Sequence, residues 1–208
     1  MAVGTTLGKL SVNASGNGTL LMPKLQFRFR LNFVNFGTEG STELTRQVID
    51  CSRPNLSFQK INVPVYNSTI YLAGKHTWQT MSINVRDNAS GEISRLVGQQ
   101  LTKQLDFAEQ ASAAQANDYK FQLDLEMLDG GNGQYEPVVI EKWELGGCFL
   151  ESVNYNTVNY ANSEVVTIAL TVSYDNAIQL VQDDQSGVGL QQNRISFSPL
   201  GESTGVSG

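Results

Sequence analysis

The sequence predicts a mainly β fold: an antiparallel β-sandwich or barrel with one flanking α-helix. Three observations carry this. Clean period-two alternation of apolar and polar residues recurs in separate stretches, as in LQFRFRLNFV, TWQTMSINVR, YKFQLDLEML and SEVVTIALTVSY. A three- and four-residue apolar period occurs once, between residues 88 and 116. The chain order is therefore strands, one helix, strands, which suits antiparallel layers with a single helix packed on them.

Residues 1–23 are small, polar and glycine-rich and read as an N-terminal arm. The β domain is expected over 24–178. Its first strand places Phe27, Phe29, Leu31 and Phe33 on one face and Arg28, Arg30 and Asn32 on the other. NFGTEGST turns the chain, and ELTRQVIDCS reads as a second, less regular strand. RPNLSFQKINVPVYNSTIYLAG is rich in β-formers but interrupted by Pro54 and Pro64, so it reads as a long loop or extended hairpin outside any central sheet. Met81, Ile83 and Val85 then resume the alternation.

Ile93, Leu96, Val97, Leu101, Leu105 and Ala108 mark the helix, expected over about 89–112 with Asn88 or Ser90 at its start. In YKFQLDLEML, Tyr119, Phe121, Leu123, Leu125 and Met127 form an apolar face, opposite Lys120, Gln122, Asp124 and Glu126. DGGNGQ reads as a turn, PVVIEKWEL and GGCFLESVNYN as further strands, and SEVVTIALTVSYDN as the last. Residues 179–208 turn polar again and read as a C-terminal extension.

Composition narrows the chemistry. Of 208 residues, 14 are Lys or Arg and 20 Asp or Glu, a net charge of -6 that argues against a basic nucleic-acid-binding surface. Charged residues make up 16%, below the usual level of about a quarter; Asn, Gln, Ser, Thr and Gly supply the polarity, which suits a surface largely covered by neighbours. No apolar run is long enough for a membrane-spanning helix, and the N-terminus lacks the pattern of a signal peptide. His76 is the single histidine and no Gly-x-Ser-x-Gly elbow occurs, so a hydrolase triad has no support. Cys51 and Cys148 lie far apart and read as free, buried thiols. The expectation is a non-enzymatic chain with no catalytic residues, metal or cofactor. A carbohydrate-binding β-sandwich is an alternative; it would need exposed aromatic clusters, whereas most aromatics here fall on apolar strand faces.

Four stretches together resemble the tail tube proteins of contractile-tailed bacteriophages, over about residues 25–178. LAGKHTWQTMSINVRDN carries Ala73, Gly74, Trp78, Met81, Ile83, Val85 and Asp87 at the family's positions. The single helix follows, then NDYKFQLDLEMLDGGNG, and then WELGGCFLESVNYNTVNYANSEVVTIALTVSYDN with Leu145, Gly147, Phe149, Tyr174 and Asp175 in place. The chain departs from the pattern in its long N-terminal arm, in a tail continuing to Gly208, and in Gly98 within the helix, which costs about 1 kcal/mol relative to Ala.

The resemblance implies a structural subunit of hexameric rings, stacked into a hollow tube that conducts DNA into the host. Four strands from each subunit would join one inner barrel. About 24 strands spaced by about 4.8 Å and tilted by about 40° give a backbone diameter of about 48 Å, enough for a duplex after side chains fill the rim. The implied partners are further copies of the chain and the tail sheath, tape measure, baseplate and tail terminator proteins, with DNA passing through unbound. The implied location is the virion tail, assembled in host cytoplasm. A bacterial contractile secretion tube is the alternative within the same fold.

Three sets of residues follow as expectations. Asp124 and Glu126 face the bore and repel DNA. Pro54, Phe58, Ile61, Val63, Pro64, Tyr66, Ile70 and Tyr71 form the segment that reaches the adjacent ring. Leu180, Val181, Leu190, Ile195 and Phe197 anchor the C-terminal extension through contacts with other subunits or the sheath.

Overall fold

The computed structural model describes residues 24–37, 42–129, 137–161 and 163–181. The N-terminal arm, the turn after Asp129, and Leu190, Ile195 and Phe197 lie outside them. Eleven strands and two α-helices are present among the described residues: β1 (Phe29–Val34), α1 (Thr42–Gln47), β2 (Val48–Cys51), β3 (Leu56–Val65), β4 (Ser68–Trp78), β5 (Met81–Arg86), α2 (Glu92–Gln104), β6 (Leu105–Asp106), β7 (Ala111–Ser112), β8 (Phe121–Leu128), β9 (Val139–Asn154), β10 (Thr167–Ser173) and β11 (Asn176–Val181). All pairing is antiparallel.

The main sheet runs β1-β8-β9-β10-β5-β2, and β11 pairs β9 on the same edge as β10. The centrepiece is β9, 16 residues long. The sequence reads as two strands parted by Gly146 and Gly147; the structure runs a single strand through both. Its first half lies between β8 and β11, its second half beside β10. One half-sheet is thus β1-β8-β9-β11, the other β9-β10-β5-β2. Gly147 has φ +69, and a Cβ there would meet Asp175 Oδ2 at 2.2 Å. The Asp175 amide donates to Gly146 O at 3.1 Å. The Gly147 and Tyr174-Asp175 signatures noted in the sequence therefore form one corner, where two neighbouring strands bend together.

The core lies between the half-sheets and α2. Leu31 and Phe33 of β1, Leu123 and Leu125 of β8, Leu145 of β9, Ile83 and Val85 of β5, and Ile168 and Leu170 of β10 meet Ile93, Leu96 and Val97 of the helix. Alternation in each strand dictates which residues enter. Phe27 does not join its expected face: β1 begins at Phe29, and Phe27 is exposed.

Two further readings are corrected. ELTRQ is helical, as α1, with Leu44 fully buried; only VIDC is strand. The main helix ends at Gln104, eight residues short of the expected 112. There the Gln104 side-chain amide clasps the backbone of Leu150, donating to its O and accepting from its N, each at 3.0 Å. Asp106 then turns the chain by accepting from the amides of Ala108 and Glu109, and β6-β7 replaces the last helical turns. At the other end the cap position is neither Asn88 nor Ser90 but Gly91, at φ 70 and without a side chain to cap with; Asn88, three residues earlier, accepts from the Glu92 amide at 3.1 Å. Gln100, fully buried, joins the Gly37 amide to Tyr119 O.

Candidate assembly surfaces

The half-sheet β1-β8-β9-β11 has two unlike faces. One packs inward. On the other, register places Arg30 beside Glu126, Glu126 beside Lys142, Asn32 beside Asp124 and Asp124 beside Glu144. Ile178 and Leu180 of β11 continue this face next to Glu144 and Lys142. Asp124 and Glu126 do lie together opposite the core, but not as bare acids: they are only 8% and 7% exposed. Arg30 Nε donates to Glu126 Oε2 at 2.7 Å. Lys142 Nζ lies 3.1 Å from Asp124 Oδ2 and 2.7 Å from Glu144 Oε1. Burial works to lower the Lys142 ammonium, but its bonds to Glu144 and Asp124 outweigh that and raise it. The face carries three carboxylates against two cations, with Lys142 shared between the neighbouring Asp124 and Glu144.

The second surface is β3-β4, a two-stranded ribbon that pairs with no other strand among the described residues. Pairing of Ile61 with Leu72, Val63 with Ile70 and Val65 with Ser68 puts an apolar stripe on one face. All five of its apolar side chains are exposed, and Tyr66 at the tip is 99% exposed. On the opposite face Lys60 Nζ sits 3.5 Å from the centroid of the Tyr71 ring. Tyr66 takes φ 45 in the two-residue turn, a position where glycine is usual. Pro64 fits because a two-stranded ribbon leaves one edge of each strand unpaired. Of the residues expected to reach a neighbour, Phe58, Ile61, Val63, Pro64, Tyr66, Ile70 and Tyr71 stand on the ribbon and are exposed; Pro54 is buried at its base. His76 packs edge-on against Trp78, which rests on Tyr174. Phe58, Tyr66, Tyr71, Tyr155 and Tyr160 are exposed, so the aromatics are less confined to apolar faces than the sequence suggests.

A third feature escaped the sequence reading. Glu141, 1% exposed, lies on the inward face of β9. It accepts from Trp143 Nε1 at 2.7 Å and Gln179 Nε2 at 2.8 Å, and it pairs with Lys24 and Arg53. Burial pushes its carboxyl up, but the bonds from Lys24, Trp143 and Gln179 and the Arg53 guanidinium prevail and hold it at about 2. One carboxylate thus ties together the start of β1, the base of the ribbon and β11. A signal was present: Glu141 shares strand parity with Trp143 and Leu145, so the alternation places it inside. Leu180 and Val181 belong to β11, hydrogen-bonded along β9, which carries the sheet beyond residue 178.

Both cysteines are free. Burial pushes each thiol up to about 12, with Asp50 adding to the effect at Cys51. Among the described residues no group of three His, Cys, Asp or Glu is placed to hold a metal, and no helix is long and apolar enough to cross a membrane.

No protein-family model matches the sequence, and no curated protein matches it. Solved structures do share the fold. A chain of the sheath/tube terminator of PVC, an extracellular contractile injection system, superposes with a TM-score of 0.57 at 10% identity, over 78% of this chain and 100% of that one. A chain of the tube-terminating cap of the anti-feeding prophage gives 0.55 at 12%, over 81% and 97%. A chain of the PVC sheath-tube complex gives 0.54 at 11%, over 85% and 99%. The chain has the fold of tube and terminator components of contractile injection systems.

Proposed function

We propose that the chain is the structural subunit of a contractile phage tail tube. Six copies close into a ring, rings stack into a conduit, and DNA leaves through the bore. The tube works with the sheath, tape measure, baseplate and terminator, and the chain has no catalytic role. The observation that carries this reading is the half-sheet β1-β8-β9-β11. Its edge strands, β1 and β11, each have one strand neighbour among the described residues and run in opposite directions. Setting β11 of one copy beside β1 of the next therefore continues an antiparallel sheet, and closing it removes both edges. The apolar face then lies against the subunit body, and the charged face, with Asp124 and Glu126, lines the bore.

In this reading the bore is a charge ladder with a small acidic excess. Arg30 and Lys142 are held by carboxylates, so phosphates gain little from approaching them, while the excess disfavours adhesion. The exposed ribbon is the contact to the adjacent ring. The test is negative-stain microscopy of the purified protein. Rings and tubes whose inner barrel is about 50 Å across at its backbone are expected from the barrel geometry; a monodisperse monomer that never closes a ring overturns the reading.

The fold shared with the anti-feeding prophage and PVC chains favours a second reading, a tube or tube-terminator subunit of a contractile injection system without a genome. Particles carrying a capsid and DNA decide for the phage tail; capsid-free particles decide for the second.

A further inference from the structure

Strand β9 belongs to both half-sheets, so the sandwich is closed on that side. The other side ends in β1 and β2, each with one strand neighbour among the described residues. Two adjoining grooves of about 550 and 680 Å³ lie between them and share Gln26, Phe29 and Asp50. Both linings are more apolar than polar. In the first, Phe29, Leu125 and Met127 of the inward β1-β8 face share the lining with Cys51 of β2. In the second, Phe27 and Ile49 stand exposed at the rim.

The path of the chain into β1 leads to an occupant. The Arg28 amide donates to Leu25 O at 3.2 Å, a turn that reverses the chain just before β1 begins. What precedes the turn therefore heads back along β1. One flank of β1 is taken by β8, where the Leu128 amide donates to Arg28 O at 2.9 Å. Lys24 lines the first groove and pairs with Glu141, which is buried on the inward face of β9. The chain thus enters from beneath the sheet, at the groove.

An extended segment between two sheets is covered on both faces, so it calls for a continuous apolar run rather than alternation. Leu20, Leu21 and Met22 are such a run, and residues 10–23 carry no charge. They stand two to four residues before Lys24, a reach of about 7–13 Å, beside a β1 of six residues, about 20 Å long. The C-terminal extension matches the groove less well. It opens on Asp183 and Asp184, and the cations of the first groove, Lys24 and Arg53, are already held by Glu141.

We propose that the β1-β2 groove is the docking site of the chain's own N-terminal arm. Leu20 and Met22 lie against one half-sheet and Leu21 against the other, closing the open side of the sandwich and burying apolar lining that is otherwise wet. Entry beneath the sheet leaves the main-chain edge of β1 free. Lys24, tied to Glu141, fixes the angle at which the arm enters.

The two native thiols test it. Cys51 lines the groove, whereas Cys148 is fully buried in the core and reports only general loosening. In a chain lacking residues 2–22, and in the full-length chain with Leu20→Ser, Leu21→Ser and Met22→Ser, alkylation of Cys51 should be about tenfold faster and that of Cys148 unchanged. Unchanged Cys51, or equal acceleration of both thiols, overturns the inference. A cross-link names the occupant. Leu21→Cys with Ile49→Cys, in a chain with Cys51→Ala and Cys148→Ala, should be joined within one chain by a short bismaleimide, to an extent independent of protein concentration. Tyr66→Cys in place of Leu21→Cys is the control. No cross-link above the control, or one formed only between chains, overturns the inference. None of these readouts uses rings or tubes, so their failure leaves the tube reading standing.

Discussion

The charged face of β1-β8-β9-β11 and the β3-β4 ribbon are both solvent-facing in the subunit, but they are finished to different degrees. On the sheet face, Arg30 answers Glu126 and Lys142 answers Asp124 and Glu144. On the ribbon, Ile61, Val63, Val65, Ile70 and Leu72 share one face with nothing over them among the described residues. A two-stranded ribbon is marginal by itself in water, and an exposed apolar stripe favours burial elsewhere. The first surface is satisfied within the subunit; the second leaves apolar area uncovered among the described residues. In the proposed tube, the contrast is that of a wall and a joint.

The sharpest way to break the comparison is to remove the joint. Deleting residues 60–72 should leave a folded subunit, because the core does not use them, but abolish tube formation by microscopy and sedimentation. Normal tubes from this deletion would count against the ribbon as the ring-to-ring element. Next in size, Glu141→Gln should cost about 2 kcal/mol, since it weakens the charge-assisted bonds from Lys24 and Arg53, whose half-exposed heads can return to water. The pH dependence has a definite sign. The folded carboxyl sits at about 2, below an unfolded value of about 4.3, so its contribution is present above pH of about 4.3 and is lost as pH falls towards 2. Urea midpoints between pH 2 and 5 should fall steeply in the wild type and more shallowly in the variant.

Gly147→Ala should cost about 2 kcal/mol, from positive φ and from contact with Asp175. Asp175→Ala in the same chain should recover the contact part but not the backbone part, as an unfolding double-mutant cycle would read. On the wall, Asp124→Asn with Glu126→Gln should cost about 1 kcal/mol per pair and leave Arg30 without its carboxylate and Lys142 with Glu144 alone. If the wall lines the bore, particles of this variant should eject DNA more slowly at low salt and recover at high salt. Unchanged low-salt ejection from normal tubes would move the wall away from the bore. The smallest effect is at the thiols: with both held near 12, alkylation of the native protein at pH 8 should be far slower than after unfolding.

Much of this was legible in local alternation. The core faces of β1, β5, β8 and β10 follow from period two, because a strand buried on one side permits little else. The ribbon was legible as β-forming but proline-broken. Contacts set by strand order were not. Glu126 meets Arg30 across 96 residues of chain, and alternation shows only that both are polar-face residues. The helix end at Gln104 depends on reaching Leu150, 46 residues away. Helical spacing alone carries the apolar pattern past it, to Leu105 and Ala108. The unity of β9 was hidden because two glycines usually punctuate a chain; here they bend a strand without ending it.

That bend has a mechanical consequence. Both β9 and its neighbour β10-β11 pass through the corner at Gly147 and Asp175, so the two half-sheets are stitched by a pair of covalent chains running side by side. If the wall is stretched along these strands, their ladder bonds must slide together rather than open one at a time. At the corner, the Asp175–Gly146 backbone hydrogen bond, the Lys120–Asp175 ion pair and the close approach of Asp175 to Gly147 set the angle between the half-sheets. A subunit built this way carries load along both half-sheets at once, with the angle between them set at a single fold line.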